Sequence, residues 1–195
     1  MKIYNIPLRD SLIEVLNRKE ELRNRIFDLC RKGIRSCART INALHRSDID
    51  KAENLITETE ELRKQIAKIV LGTPWVYHGI VSSFFQEYTE AHLFYCICKD
   101  LPLKSYKELA VREEDYILGL ADLTGEISRN ILDSLRKDGK NIYKLFQIME
   151  DIYEFLVEID TPDSLIPGLR HKKDVLRGQL QKIREILVLY KINHR

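Results

Sequence analysis

The chain has 195 residues, 44% of them hydrophobic, which is the size of one domain with enough apolar content for a substantial core, so a single folded domain over residues 1–195 is expected. Its 32 Lys and Arg against 30 Asp and Glu give a formal charge of +2, which excludes a strong overall field and leaves any polyanionic partner to be recruited by local cations. No long uncharged apolar run exists and the opening MKIYNIPLRD is charged where a secretory signal needs an apolar core, so the reading is a cytoplasmic protein with no membrane partner and with reduced thiols at Cys30, Cys37, Cys96 and Cys98.

Apolar residues recur at the helical period almost throughout, and the breaks carry start and stop chemistry, predicting about seven helices. The first runs from near Leu8 to about Arg46, with Leu12, Leu16, Leu22, Ile26, Ile34, Ile41 and Leu44 on its inner side. Ser47 or Asp48 caps a second that ends at Gly72, where glycine suits a left-handed stop. Thr73 and Pro74 are the cap and first-turn proline of a third reaching about Lys99. A short turn or helix at Ser105–Leu109 precedes a fifth element from Arg112 to Lys137, which stops at the Asp138-Gly139 turn. The sixth spans Asn141 to Ile159 and is broken by Thr161-Pro162-Asp163; the last runs from about Pro167 to Lys191. Without alternating strands or an internal repeat, the fold class is all-α.

The third helix holds no Lys or Arg between Pro74 and Cys98, and its only carboxylates are Glu87 and Glu90, neighbours on one face. Projection places Val76, Ile80, Ala91, Phe94 and Cys98 on the face of Glu87, so both acids fall within the apolar stripe. An ionised carboxylate removed from water costs several kcal/mol unless it is paired or binds a metal. A cation from another helix or a wet cavity satisfies that requirement, and so does a metal shared with a second acidic element. The stretch EEDYILGLADLTGEISR offers one: Asp115, Asp122 and Glu126 share a stripe away from Ile117, Leu120, Ile127 and Ile131, for which a solvated face is the plain alternative. Convergence of the two pairs supplies hard oxygen ligands suited to Mg²⁺ or Mn²⁺.

On the first helix, Arg31, Arg35, Arg39 and Arg46, flanked by Lys32, form an all-cationic stripe opposite Ile34, Cys37, Ile41 and Leu44, and no carboxylate interrupts it between Cys30 and Arg46. Such a stripe either tracks a phosphate backbone or is a solvated face. The cations Arg170, His171, Lys172 and Lys173 at the start of the last helix are less telling, since neighbouring acids can pair with them.

The segments CRKGIRSCARTINALHR, FFQEYTEAHLFY, EDYILGLADLTGEISRNIL and GLRHKKDVLRGQLQKIREILVLYKI resemble the translin family, and within it the catalytic branch typified by translin-associated factor X (TRAX). The most specific pieces are E-x-x-E in the third helix and D-L-T-G-E in the fifth. The resemblance implies a Mg²⁺-dependent endoribonuclease acting on single-stranded RNA, with duplex RNA and single-stranded DNA as alternative ligands. It implies Glu87, Glu90, Asp122 and Glu126 as catalytic acids, Glu90, Asp122 and Glu126 as the metal ligands, and Glu87 as the group that positions or deprotonates the attacking water. It further implies a hollow homo-oligomer, expected to be an octamer, of the compact archaeal kind, with Arg31, Lys32, Arg35, Arg39 and Arg46 guiding RNA toward the acids. The competing reading is a non-catalytic scaffold of the translin type that binds single-stranded RNA or DNA. Di-iron bundles need E-x-x-H and all-α pyrophosphohydrolases E-x-x-D, and the chain has neither pattern.

Overall fold

The computed structural model of the chain describes residues 8–137 and 139–193. Among them there are seven α-helices: α1 (Arg9–His45), α2 (Ile49–Gly72), α3 (Ile80–Cys98), α4 (Tyr106–Leu109), α5 (Glu113–Leu135), α6 (Ile142–Glu158) and α7 (Leu169–Asn193). The all-α expectation and the seven elements hold, with boundaries within a few residues except at the start of α3; the Asp138 half of the expected turn lies outside the described residues. Local chemistry explains the starts. The Asp48 side chain accepts from the Lys51 amide at 3.3 Å to open α2, and Ser105 and Glu108 form a reciprocal capping box on α4.

Two sequence expectations are corrected. Pro74–Val76 is a separate 3₁₀ turn rather than the first turn of α3, because Gly79 adopts φ 55 and breaks the path before Ile80. Val76 therefore shares no helix with Glu87. The other correction concerns the inner side of α1, which starts only at Leu22: Leu12 and Leu16 are 55% and 62% exposed, since the first third of α1 has no helix beside it to cover it.

α3 is the centre of the fold. It packs against α1 on one side and α5 on the other; α2 lies along α1, and α6 and α7 lie along α5. That placement explains its composition: Val81, Phe84, Phe85, Tyr88, Ala91, Leu93, Phe94 and Cys96 leave almost no face for solvent, which excludes Lys and Arg. Two glycines let neighbouring helices come this close. A Cβ on Gly33 of α1 would collide with the Phe84 ring, and one on Gly119 of α5 would lie 2.6 Å from the Gln86 carbonyl oxygen and 2.7 Å from the Thr89 Cβ. The buried polar groups facing α2 are paired: Arg63 grips Glu60 through two bonds of 2.9 Å, the Tyr88 hydroxyl donates to Glu60 at 2.5 Å, and His92 meets the Thr59 hydroxyl at 3.3 Å. Burial pushes the His92 imidazole down to about 3, so it stays neutral at physiological pH. Among the described residues no helix is long and apolar enough to cross a membrane, and the four cysteines are free thiols.

Candidate active site between α3 and α5

Glu87 and Glu90 lie one turn apart on α3, and Asp122 and Glu126 one turn apart on α5; the close crossing of these helices brings the four into electrostatic contact. Glu90 is the deepest, 9% exposed, and its carboxyl is pushed up to about 8 by burial first and then by Asp122, Glu87 and Glu126. Burial, and after it Asp122, also raises Glu87, while Lys172 partly offsets both. The two acids of α3 thus meet those of α5, while its His92 and Tyr88 bond to residues of α2.

Two side chains from other helices close the α5 side. Lys172 of α7 makes an ion pair with Asp122, and His45, the last residue of α1, places Nε2 2.5 Å from the Glu126 carboxylate. The His45 contact, ahead of the burial that opposes it, holds Glu126 below the usual carboxylate range. Phe94 tilts against the His45 ring with centroids 4.9 Å apart. Sequence reasoning passed over His45, although it continues the Cys37 and Ile41 stripe at helical spacing and so was due to face inward. Pairing of the Lys172 cluster with neighbouring acids was expected, and Lys172 does so pair.

Asp115 is a correction. It does not share the half-exposed setting of Asp122: it is 2% exposed, with the hydroxyls of Tyr77 and Ser82 donating to its two oxygens and the Gln86 amide reaching it at 3.3 Å. Three neutral donors stabilise the carboxylate, so Asp115 ties the 3₁₀ turn and the start of α3 to α5. The guanidinium of Arg112 lies over the Tyr77 ring at 3.3 Å and closes this anchor from outside.

Arg31, Lys32, Arg35, Arg39 and Arg46 are all exposed, and among the described residues none is held by a carboxylate. They do not line the acidic site within one chain. Cys37 faces it, since Glu87 and Glu90 both act on its thiol, whose ionisation burial already opposes; Arg35 and Arg39 stand about 160° around α1 from Cys37 at about 100° per residue. Within one chain the stripe and the acids lie on different sides of α1, because the residues that alternate with the stripe are the ones buried against α3.

Among the described residues no three His, Cys, Asp or Glu side chains stand close enough to hold a metal as placed. The donor set nevertheless suits one: Asp122, Glu87 and Glu126 add to the burial that drives Glu90 to hold a proton near neutrality, and hard oxygens suit Mg²⁺ or Mn²⁺ over softer ions.

The translin-family profile matches residues 21–194, most of the chain. The chain belongs to the translin family. An uncharacterised protein of Methanocaldococcus jannaschii is 36% identical over 182 residues, covering 92% of this chain and 81% of that protein. Two solved structures share the translin fold closely: apo-NeC3PO, with a TM-score of 0.87 and 26% identity over 96% of this chain and 99% of that one, and AfC3PO in complex with duplex RNA, with a TM-score of 0.86 and 25% identity over 94% and 96%. The E-x-x-E and D-L-T-G-E pieces that carried the resemblance to the translin family are the ones that meet at the α3–α5 crossing.

Proposed function

We propose that the protein is a Mg²⁺-dependent endoribonuclease that cleaves single-stranded RNA, with duplex RNA and single-stranded DNA as further ligands. The observation that carries this reading is the approach of Glu87 and Glu90 on α3 to Asp122 and Glu126 on α5, which together with burial raises the carboxyls of Glu87 and Glu90. Membership of the translin family and likeness to a fold solved with duplex RNA support a nucleic-acid ligand.

In this reading Glu90, Asp122 and Glu126 hold the Mg²⁺, which when bound polarises the scissile phosphate and lowers the pKa of the attacking water. Glu87, half-buried and less deeply set than Glu90, orients that water or takes its proton. His45 fixes the Glu126 carboxylate, and Asp115 fixes the rotation of α3 that presents Glu87 and Glu90. Because water rather than the 2′-hydroxyl attacks, the products carry 5′-phosphate and 3′-hydroxyl ends. The apolar surface of Leu12, Ile13 and Leu16 along the uncovered start of α1 supports self-association, for which a closed octamer is the expected form.

One observation favours the alternative of a non-catalytic single-stranded RNA- or DNA-binding scaffold: Asp122 and Glu126 are both already engaged by cationic or imidazole side chains. A single experiment separates the two. Labelled single-stranded and duplex RNA are incubated with the protein in Mg²⁺, in Mn²⁺ and in chelator, beside Asp122→Ala. Cleavage that requires the divalent ion and Asp122 is expected; RNA that is bound but intact under every condition would establish the scaffold.

A further inference from the structure

We propose that Lys172 is a substrate-phosphate ligand of the carboxylate site, and that the cleft between α5 and α7 beside it seats one ribonucleotide of the bound strand. The inference rests on the nuclease reading above and extends it to a side of the site that the four acids do not occupy.

The cleft measures about 300 Å³ and is lined by Asp122, Thr124, Gly125, His171, Lys172 and Gln179, among others. Its size falls at the lower end of the roughly 300–1,000 Å³ of small-ligand sites. Gly125, inside the D-L-T-G-E segment, keeps it open: a Cβ there would meet only the Gln179 amide nitrogen, at 3.8 Å, whereas a longer side chain would enter the cleft. Thr124 lies 3.4 Å from the Gln179 amide oxygen, and the Gln179 amide nitrogen has no partner among the described residues. The cleft therefore presents a free amide donor beside two positively charged or chargeable side chains.

Lys172 is placed for more than holding the fold. Its pair with Asp122 is open to water, the two side chains being 27% and 36% exposed, and such pairs add only about 0–1 kcal/mol. α7 is already fixed by the buried Leu176, Leu180, Ile183 and Leu187. Its ammonium also reaches electrostatically beyond Asp122, since among the described residues it is the cation that offsets both Glu87 and Glu90. Four carboxylates repel an RNA phosphate, and the cationic stripe of α1 faces elsewhere. A phosphate arriving at the acids from the α7 side meets Lys172 first, and the ammonium exchanges a carboxylate oxygen of Asp122 for a non-bridging phosphate oxygen, as Lys clamps do on phosphoryl groups.

The test measures affinity for a short single-stranded RNA in chelator, at several salt concentrations, for the wild type, Lys172→Gln, Asp122→Asn and the double variant. Lys172→Gln is expected to weaken binding severalfold and to flatten the log–log salt slope by about 0.7, the loss of one phosphate contact to a single strand. Asp122→Asn releases the ammonium, so the loss on removing Lys172 grows in that background; the cycle isolates this from the general effect of deleting an acid. Lys172→Arg retains binding. Gly125→Leu, with helicity checked by circular dichroism, fills the cleft and is expected to lower affinity for the short RNA. Equal affinities and slopes with and without Lys172 in both backgrounds, or an unaffected Gly125→Leu, overturn the proposal. Because these measurements need no cleavage, a wild type that binds through Lys172 yet never cuts in Mg²⁺ refutes the nuclease reading alone.

Discussion

Replacing Glu90 by Gln should stabilise the metal-free protein, and should do so only above mildly acidic pH. The carboxyl is pushed from the usual 4.5 up to about 8 by burial and by the neighbouring Asp122, Glu87 and Glu126. Its folded-state value lies above the unfolded one, so between about pH 4.5 and 8 the native state binds more protons than the unfolded chain, and stability falls as pH rises through that window. At about 1.4 kcal/mol per tenfold change in proton affinity, the ceiling on that loss is about 5 kcal/mol. Admission of water and the nearby Lys172 ammonium reduce it, and a gain of about 2 kcal/mol at pH 8 is expected for the isosteric amide, which stays neutral, falling to below about 1 kcal/mol at pH 5, where the unfolded carboxyl is only partly ionised. For a chain of this length that is a rise in Tm of about 4–8 °C. Thermal unfolding of both proteins in chelator, at pH 5 and pH 8 and at fixed protein concentration, measures it. A Tm difference that is the same at the two pH values would refute the claim that the Glu90 charge is held at a cost.

Glu126→Gln is expected to leave RNA affinity within about twofold while lowering the single-turnover rate by at least tenfold, since it removes charge from the donor set and no phosphate-facing cation; single-turnover rates beside binding isotherms test this. Changing Arg31, Arg35 and Arg39 together to Gln should flatten the salt dependence of RNA binding by about 2, at about 0.7 per single-strand contact, and an unchanged slope would reduce the stripe to a solvated face. Gly119→Ala should cost about 1–3 kcal/mol in urea unfolding and depress cleavage as well, because the added methyl meets the α3 backbone at Gln86 and pushes α5 away.

Periodicity exposes what packs and hides what pairs. The start of α2, the capping box of α4 and the apolar set of α5 were legible because each is written in neighbouring residues, whereas Gly72 ends α2 without the left-handed turn expected of it. The burial of Glu90 was legible too, since a helix without Lys or Arg has to lie at the centre of the fold. Asp115 and Asp122 look alike along the chain, seven residues apart on one stripe, yet Tyr77 from the end of the 3₁₀ turn and Ser82 from α3 enclose the first and leave the second half-exposed. Tyr77 and Ser82 stand where they do because the chain breaks at Gly79, which a continuous helix from Pro74 would not have done. The contact of His45 with Glu126 spans 81 residues, and no local pattern reports a partner at that distance.

The glycine notches on either side of α3 bear on time as well as on space. With Phe84 seated against Gly33, and the Gln86 carbonyl and Thr89 against Gly119, the helix carrying Glu87 and Glu90 has no slack toward either neighbour. Hinge and helix-shift motions, which occupy microseconds to milliseconds, would have to break both contacts to move this part of the site. The partially exposed side chains at its rim, Asp122 and Lys172 among them, need no such break, and exposed side chains change rotamer in picoseconds to nanoseconds. Opening the site is thus a matter of side-chain rotation, and RNA arriving by diffusion meets carboxylates whose backbone positions are set before it comes.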